Sequence, residues 1–171
     1  LHLMVKPASG ACNLRCDFCS RDVARDSTWT VASAANVLRG LAAAGTLEVA
    51  FGGGEPLLFP GFAALLEELR ETTPLAMHLT TNGALVREAS WRRLRGLVGM
   101  ARLSIYEGTR WREAADVLAG CDQRWGANVL VDDAALASLP ALLDELAARR
   151  CHDVSLLSYV GPDRGRRLGL A

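Results

Sequence analysis

Lysine is almost missing from this chain, and so is any excess of charge. Its 171 residues carry nineteen Lys plus Arg against nineteen Asp plus Glu, and Lys6 is the single lysine. The arginine-for-lysine bias, with abundant alanine, is the mark of a GC-rich genome and carries no functional message. Zero net charge removes the basic footprint of a nucleic-acid-binding chain. No apolar run approaches the ~18–20 residues of a membrane span. No signal-like segment opens the chain, so the expected setting is cytoplasmic. Aromatic residues are scarce at 6%, and Trp29, Trp91, Trp111 and Trp125 show no stacking-platform spacing, which assigns them to packing. What is present is a globular balance of 50% hydrophobic and 22% charged residues. A chain of this size buries roughly 70% of its unfolded surface and needs no disulfide staples. One domain over 1–171 is the expectation.

Apolar runs and turn residues alternate with regularity. Residues 1–6 read as a strand, and a polar loop follows over 7–28. Residues 32–44 read as a helix stopped by Gly45. The run 47–51 is a strand that enters Gly52-Gly53-Gly54-Glu55-Pro56. Phe62, Leu65, Leu66 and Leu69 recur at helical spacing over 62–72. A strand over 75–79 runs into Thr80-Thr81-Asn82-Gly83, and a basic helix covers 87–97. Then come a strand over 99–105 ending at Tyr106-Glu107-Gly108, a helix over 110–121 and a strand over 127–131 ending at Asp132-Asp133. One long helix over 134–150 and a last strand over 153–159 complete the pattern.

Six strands, each but the last followed by a helix, specify an α/β fold with a parallel sheet. An open doubly wound sheet and a barrel, whole or partial, both satisfy the pattern; six units are too few for the eight-stranded barrel. Apolar strands such as the one holding Leu156-Leu157 suit a sheet covered on both faces. In either architecture the functional site lies at the C-terminal strand ends. The unusual residues are all there: cysteines after strand one, glycines and Glu55 after strand two, Asn82 after strand three, Ser104 and Tyr106 at strand four, Asp132 and Asp133 at strand five, Ser158 and Tyr159 at strand six.

Three of the five cysteines, Cys12, Cys16 and Cys19, fall within eight residues. In a reducing compartment such a cluster signals metal ligation before disulfides. Four-iron clusters usually take four cysteines, and only three are local here. Either a distant group supplies the fourth ligand or one position stays open for a small molecule, as catalytic metal sites allow. A structural zinc loop is the plainer alternative, with His2, His78, Cys121 or Cys151 as fourth ligand. The glycine run alone is a tight βα turn, and Thr80 to Gly83 alone a helix cap.

Taken together these elements resemble the radical S-adenosylmethionine (SAM) superfamily. The resemblance rests on Cys12-x3-Cys16-x2-Cys19 with Phe18 before the last cysteine, Gly53-Gly54-Glu55-Pro56, Thr81-Asn82-Gly83, and Arg102-Leu103-Ser104-Ile105, each at an expected strand end. It covers essentially the whole chain and implies a partial (β/α)6 barrel with parallel strands. Strand one and the cluster loop would fill 1–28, the other units 29–159, and a remnant 160–171, the sixth helix being short or missing. It implies that Cys12, Cys16 and Cys19 hold a [4Fe–4S] cluster whose open iron chelates SAM. Gly53, Gly54 and Glu55 would bind the SAM amino group, Asn82 and Ser104 its ribose or carboxylate, and Phe18 would lie near the adenine. Reductive cleavage of SAM would then give a 5′-deoxyadenosyl radical that abstracts hydrogen from a substrate.

Lys6-Pro7-Ala8-Ser9 is similar to the opening of the anaerobic sulfatase-maturating, peptide-modifying branch, which favours a peptide substrate over a small natural-product intermediate. The cysteine-rich extension usual in that branch has no counterpart within this sequence. Tyr106 stands where an acidic residue is usual. The resemblance also implies a one-electron reductase partner of flavodoxin or ferredoxin type. A scaffold that binds a cluster or zinc without cleaving SAM is the second reading.

The remaining candidates read more simply. Cys121 and Cys151 suit apolar packing. Cys151-His152-Asp153 cannot converge as a nucleophilic triad, because neighbours on a strand point to opposite faces. Asp132 and Asp133 either contact substrate or cap the next helix. Tyr106, Glu107 and Tyr159 are candidate substrate contacts. Arg87, Arg92, Arg93 and Arg95 form a basic helix face that suits solvent, with a reductase or other acidic partner as the alternative.

Overall fold

Strand alternation sorts side chains between two faces of one sheet. In β4 (Met100–Ile105), Ala101, Leu103 and Ile105 are buried while Arg102 and Ser104 are half-exposed. The computed structural model describes residues 2–8, 10–19, 27–106 and 108–168. The other strands are β1 (His2–Val5), β2 (Glu48–Phe51), β3 (Ala76–Thr81), β5 (Trp125–Val131) and β6 (Val154–Ser158). Between them run α1 (Val31–Ala43), α2 (Phe62–Thr72), α3 (Glu88–Leu94), α4 (Trp111–Gly120), α5 (Asp133–Leu136) and α6 (Leu139–Ala148). The sheet order follows the sequence, β1-β2-β3-β4-β5-β6, and every neighbouring pair is parallel. With each crossover helix on one side, the strands curl into a partial (β/α)6 barrel, as expected.

The outer face of the sheet is the core. Val49, Phe51, Leu79, Leu103, Ala127 and Val129 are at most 2% exposed and pack with buried residues of the helices. The inner face is polar. Thr80 pairs with Arg102 in register, and Ser104, Asn128 and Ser155 form the next row. The Arg102 guanidinium donates to Asn128 Oδ1 at 3.3 Å, Ser155 Oγ at 3.1 Å and Asp153 Oδ2 at 2.8 Å. A closed barrel fills this space with branched apolar side chains; here the polar row leaves an interior suited to a polar guest.

Four expectations change. The helix over 134–150 is two helices, because Asp132 starts a short one and Pro140 starts another. The Ala135 N–H donates to Asp132 Oδ1 at 2.9 Å, and proline sits in the first turn of α6, where a missing N–H costs nothing. β5 begins at Trp125, which pairs with Ala101 and is 1% exposed. Leu156 and Leu157 are 54% and 48% exposed, because β6 is an edge strand and not a doubly covered one. Trp29 is exposed, whereas Trp91, Trp111 and Trp125 are packed. After β6 the described residues make a three-residue 3₁₀ turn, Arg164–Arg166. Among the described residues no helix is long and apolar enough to cross a membrane.

Candidate functional site

The cysteine loop is anchored to the β2 turn through backbone. Beyond β1, the Glu55 N–H donates to the Ala11 carbonyl at 2.8 Å. A Cβ on Gly54 would lie 1.9 Å from that same oxygen, so only glycine lets the two segments touch. Gly53 has φ +101°, and a Cβ there would lie 2.6 Å from Lys6 Cβ. A plain tight turn would need neither contact. The glycine run therefore serves an approach between two loops.

Glu55 is 1% exposed, and both its oxygens accept hydrogen bonds. Its Oε1 accepts from the Thr81 hydroxyl at 2.9 Å and the Leu57 N–H at 3.2 Å, and its Oε2 accepts from the Asn82 N–H at 2.9 Å. Burial pushes its pKa above the usual carboxylate value, and these three donors pull it partly back. A carboxylate has about four lone-pair directions, so one on Oε2 remains for a further donor. Asn82, itself 6% exposed, passes the connection to the cysteine loop. Its Nδ2 donates to Asn13 Oδ1 at 2.9 Å and to Cys12 Sγ at 3.7 Å, and its Oδ1 accepts from the Ala84 N–H at 2.9 Å.

Cys12, Cys16 and Cys19 are free and half-buried. Cys12 Sγ also accepts from the Leu14 N–H at 3.4 Å, and Cys16 Sγ donates to the Tyr106 hydroxyl at 3.1 Å. Among the described residues no three His, Cys, Asp or Glu converge closely enough for a single metal ion. A zinc site needs such convergence of four ligands. The suggested fourth ligands are otherwise engaged: His78 faces Glu48 at 3.9 Å, Cys121 is in the core, and Cys151 Sγ donates to the Asp153 carbonyl at 3.1 Å. The His2 side chain lies outside the described residues. A four-iron cluster takes one thiolate per iron and spreads its ligands apart. Three free thiols on one loop, with hydrogen-bonding groups at two sulfurs, fit that group.

Aromatic rings close the far side. Phe18 meets Tyr106 edge-on, with centroids 4.8 Å apart, and Tyr159 at 6.2 Å. Burial first, and the hydrogen bond with Cys16 second, push the Tyr106 phenol up from its ordinary value. Tyr159 is 2% exposed and its hydroxyl has no hydrogen-bond partner. Arg166 lies 4.4 Å over the Tyr159 ring, with Nε at 2.9 Å from Asp132 Oδ2 and Nη1 at 3.1 Å from Asp17 Oδ2. The Ala135 N–H, and after it Arg166, hold the Asp132 carboxyl below its usual range.

The expected site residues thus divide. Phe18, Gly53, Gly54, Glu55 and Asn82 gather around the cysteine loop, while Ser104 stands on the inner sheet face, one row above Arg102. Asp132 caps α5, and Asp133 is exposed. Arg92, Arg93 and Arg95 pair with Glu88, Glu67 and Asp122 on a solvated face. Glu107 and Ser9 lie outside the described residues. Two clefts meet at Tyr106, Gly108 and Arg166. One of about 390 Å³ runs along Arg15, Cys16 and Phe18, and one of about 1080 Å³ opens between α4 and α5–α6. Sequence reasoning missed Arg166 and Asp17, which no local signal joins across 149 residues. It also passed over Arg102, whose charge inside an alternating strand was a usable signal.

A family model described as Radical SAM superfamily matches residues 7–106, more than half of the chain. The 7-carboxy-7-deazaguanine synthase of Methanothermobacter thermautotrophicus is 35% identical over 82 residues, 46% of this chain and 32% of that protein. The GTP 3′,8-cyclase of Paenarthrobacter nicotinovorans is 32% identical over 133 residues, 69% of this chain and 38% of that protein. Among solved structures, anSMEcpe with bound AdoMet superposes with a TM-score of 0.81 at 18% identity, covering 97% of this chain and 53% of that one. Streptococcus suis SuiB bound to precursor peptide SuiA gives a TM-score of 0.82 at 19% identity, covering 99% of this chain and 42% of that one. The chain therefore spans about a third of these two sequence relatives and about half of these solved chains.

Proposed function

The chain belongs to the radical SAM superfamily, enzymes whose cofactors are a [4Fe–4S] cluster and SAM, and on that premise we propose that it carries the cluster and SAM site of an enzyme abstracting hydrogen from a peptide. When bound, the cluster and SAM supply a one-electron reductive cleavage that yields a 5′-deoxyadenosyl radical. The chain's own residues bind and orient. Cys12, Cys16 and Cys19 would supply the thiolates that hold the cluster. The Gly53–Gly54 backbone lies against the cysteine loop, and the remaining lone pair of Glu55 Oε2 would accept from the SAM amino group. Asn82 holds Asn13 and Cys12 in place and presents its end of β3 to the ribose or carboxylate, with Ser104. Phe18 packs on the adenine side. The polar inner face around Arg102 receives the substrate.

The observation that carries this reading is the backbone contact of Glu55 and Gly54 with Ala11, which joins the cysteine loop to the glycine turn. A peptide substrate is supported by the precursor peptide bound in the SuiB structure. A flavodoxin- or ferredoxin-type protein supplies the electron, in the cytoplasm. The test is the electron paramagnetic resonance spectrum of the anaerobically reconstituted, reduced protein with and without SAM. A four-iron signal that shifts on SAM addition is expected; a signal indifferent to SAM favours a scaffold that does not cleave it. Cys16→Ala should lose the cluster and Cys121→Ala should keep it, read as iron per chain; full iron in Cys16→Ala would overturn the ligand assignment.

A further inference from the structure

Tyr106 is the first residue beyond β4, and its backbone is pinned. The Thr109 hydroxyl donates to the Tyr106 carbonyl at 2.8 Å, and the Thr109 N–H donates to the same oxygen at 3.2 Å. The ring is wedged edge-on against Phe18. Held at both ends, the phenol oxygen stands 3.1 Å from Cys16 Sγ. With the cysteine as a thiol, the sulfur carries the proton and donates. A cysteine that ligates iron has given that proton up. The phenol O–H is then the only proton between the two atoms, so the bond must reverse direction.

We propose that Tyr106 donates a hydrogen bond to the Cys16 thiolate of the bound cluster and thereby raises the cluster's reduction potential. The inference rests on the proposed function, because it requires Cys16 to be an iron ligand. Reduction adds one negative charge to the cluster, and part of it falls on the ligating sulfurs. A donor aimed at a sulfur stabilises the reduced form more than the oxidised form, and hydrogen bonds to sulfur are among the levers that set such potentials. A charged acceptor also makes this bond stronger than the neutral one. Tyr106 touches a ligand and not an iron, so it is a positioning and tuning residue. Its effect falls on how readily an external one-electron donor reduces the site.

The experiment is a redox titration of the reconstituted full chain, followed by the reduced-cluster resonance, for the wild type, Tyr106→Phe and a protein carrying 3-fluorotyrosine at position 106. Tyr106→Phe should keep its iron and titrate at a more negative potential. The fluorinated phenol is a stronger donor of almost the same shape and should titrate at a more positive potential than the wild type. If Tyr106→Phe loses its iron through misfolding, the fluorinated protein alone decides. Unchanged potentials in iron-loaded proteins overturn the proposal and leave the cluster assignment standing. A wild-type protein that takes up no cluster overturns the assignment itself.

Discussion

Gly54 has no room for a side chain. Because a Cβ there would fall 1.9 Å from a backbone oxygen, Gly54→Ala must push the β2 turn and the cysteine loop apart. Overpacking against backbone costs about 1–3 kcal/mol. The expected result is a stability loss of that size in urea unfolding, together with lower iron uptake on reconstitution. Glu55 gives a second residue-level prediction. Its three donors are all satisfied by a carboxylate, whereas an amide would set its own N–H₂ against one of them. Glu55→Gln should therefore cost about 1–3 kcal/mol near neutral pH. The folded pKa of Glu55 lies above its ordinary 4.5, so the native state binds that proton more tightly than the unfolded chain does. Its contribution is fully present below 4.5 and is lost as pH rises through the folded value. The wild type should accordingly gain on Glu55→Gln as pH falls from neutral towards 4.5; a difference that stays constant with pH would count against this reading.

At the scale of elements, Asp132 ends β5 and starts α5. It is both a cap and an anchor for Arg166. Asp132→Ala removes the cap, worth ~1 kcal/mol, and the anchor with it. The carboxyl titrates below its usual 3.8, so its contribution is present above 3.8 and is lost as pH falls through the folded value. Chemical denaturation of wild type and variant should give curves that converge only in acid. The sequence makes the strand and helix order legible here, because apolar periodicity and glycine stops are local signals. It makes the α5–α6 break legible only in hindsight: alanine and leucine over 134–150 satisfy helical spacing, and a single Pro140 decides otherwise. The exposure of β6 was not legible. Leu156 and Leu157 have the composition of a covered strand, and only the sheet order places them at an edge. Among site residues, the cysteines and glycines stood out because their chemistry demands close spacing. The double engagement of Asn82 and the reach of Arg166 are products of folding alone.

For the whole molecule, Arg166 is the tie between the two ends of the described chain. It holds Asp17 of the cysteine loop and Asp132 beyond β5, and it covers the Tyr159 ring. These ion pairs are partly solvated, and such pairs contribute about 0.2–1 kcal/mol each. Arg166→Ala should thus leave the unfolding midpoint nearly unchanged while protease cuts the cysteine loop faster. Equal cleavage rates in the two proteins would show that the tie holds nothing down.

The same long ties impose an order in time. In synthesis the partners of Cys12, Cys16 and Asp17 follow them by 70, 90 and 149 residues. At synthesis rates of about 5–20 residues per second, the Asp17 partner trails by about 7–30 s. During that interval the thiols are carried on a nascent chain without the groups that orient them. On the proposed ligand set, cluster loading then waits for partners made well after the cysteines, and the thiols have to be kept reduced through that interval.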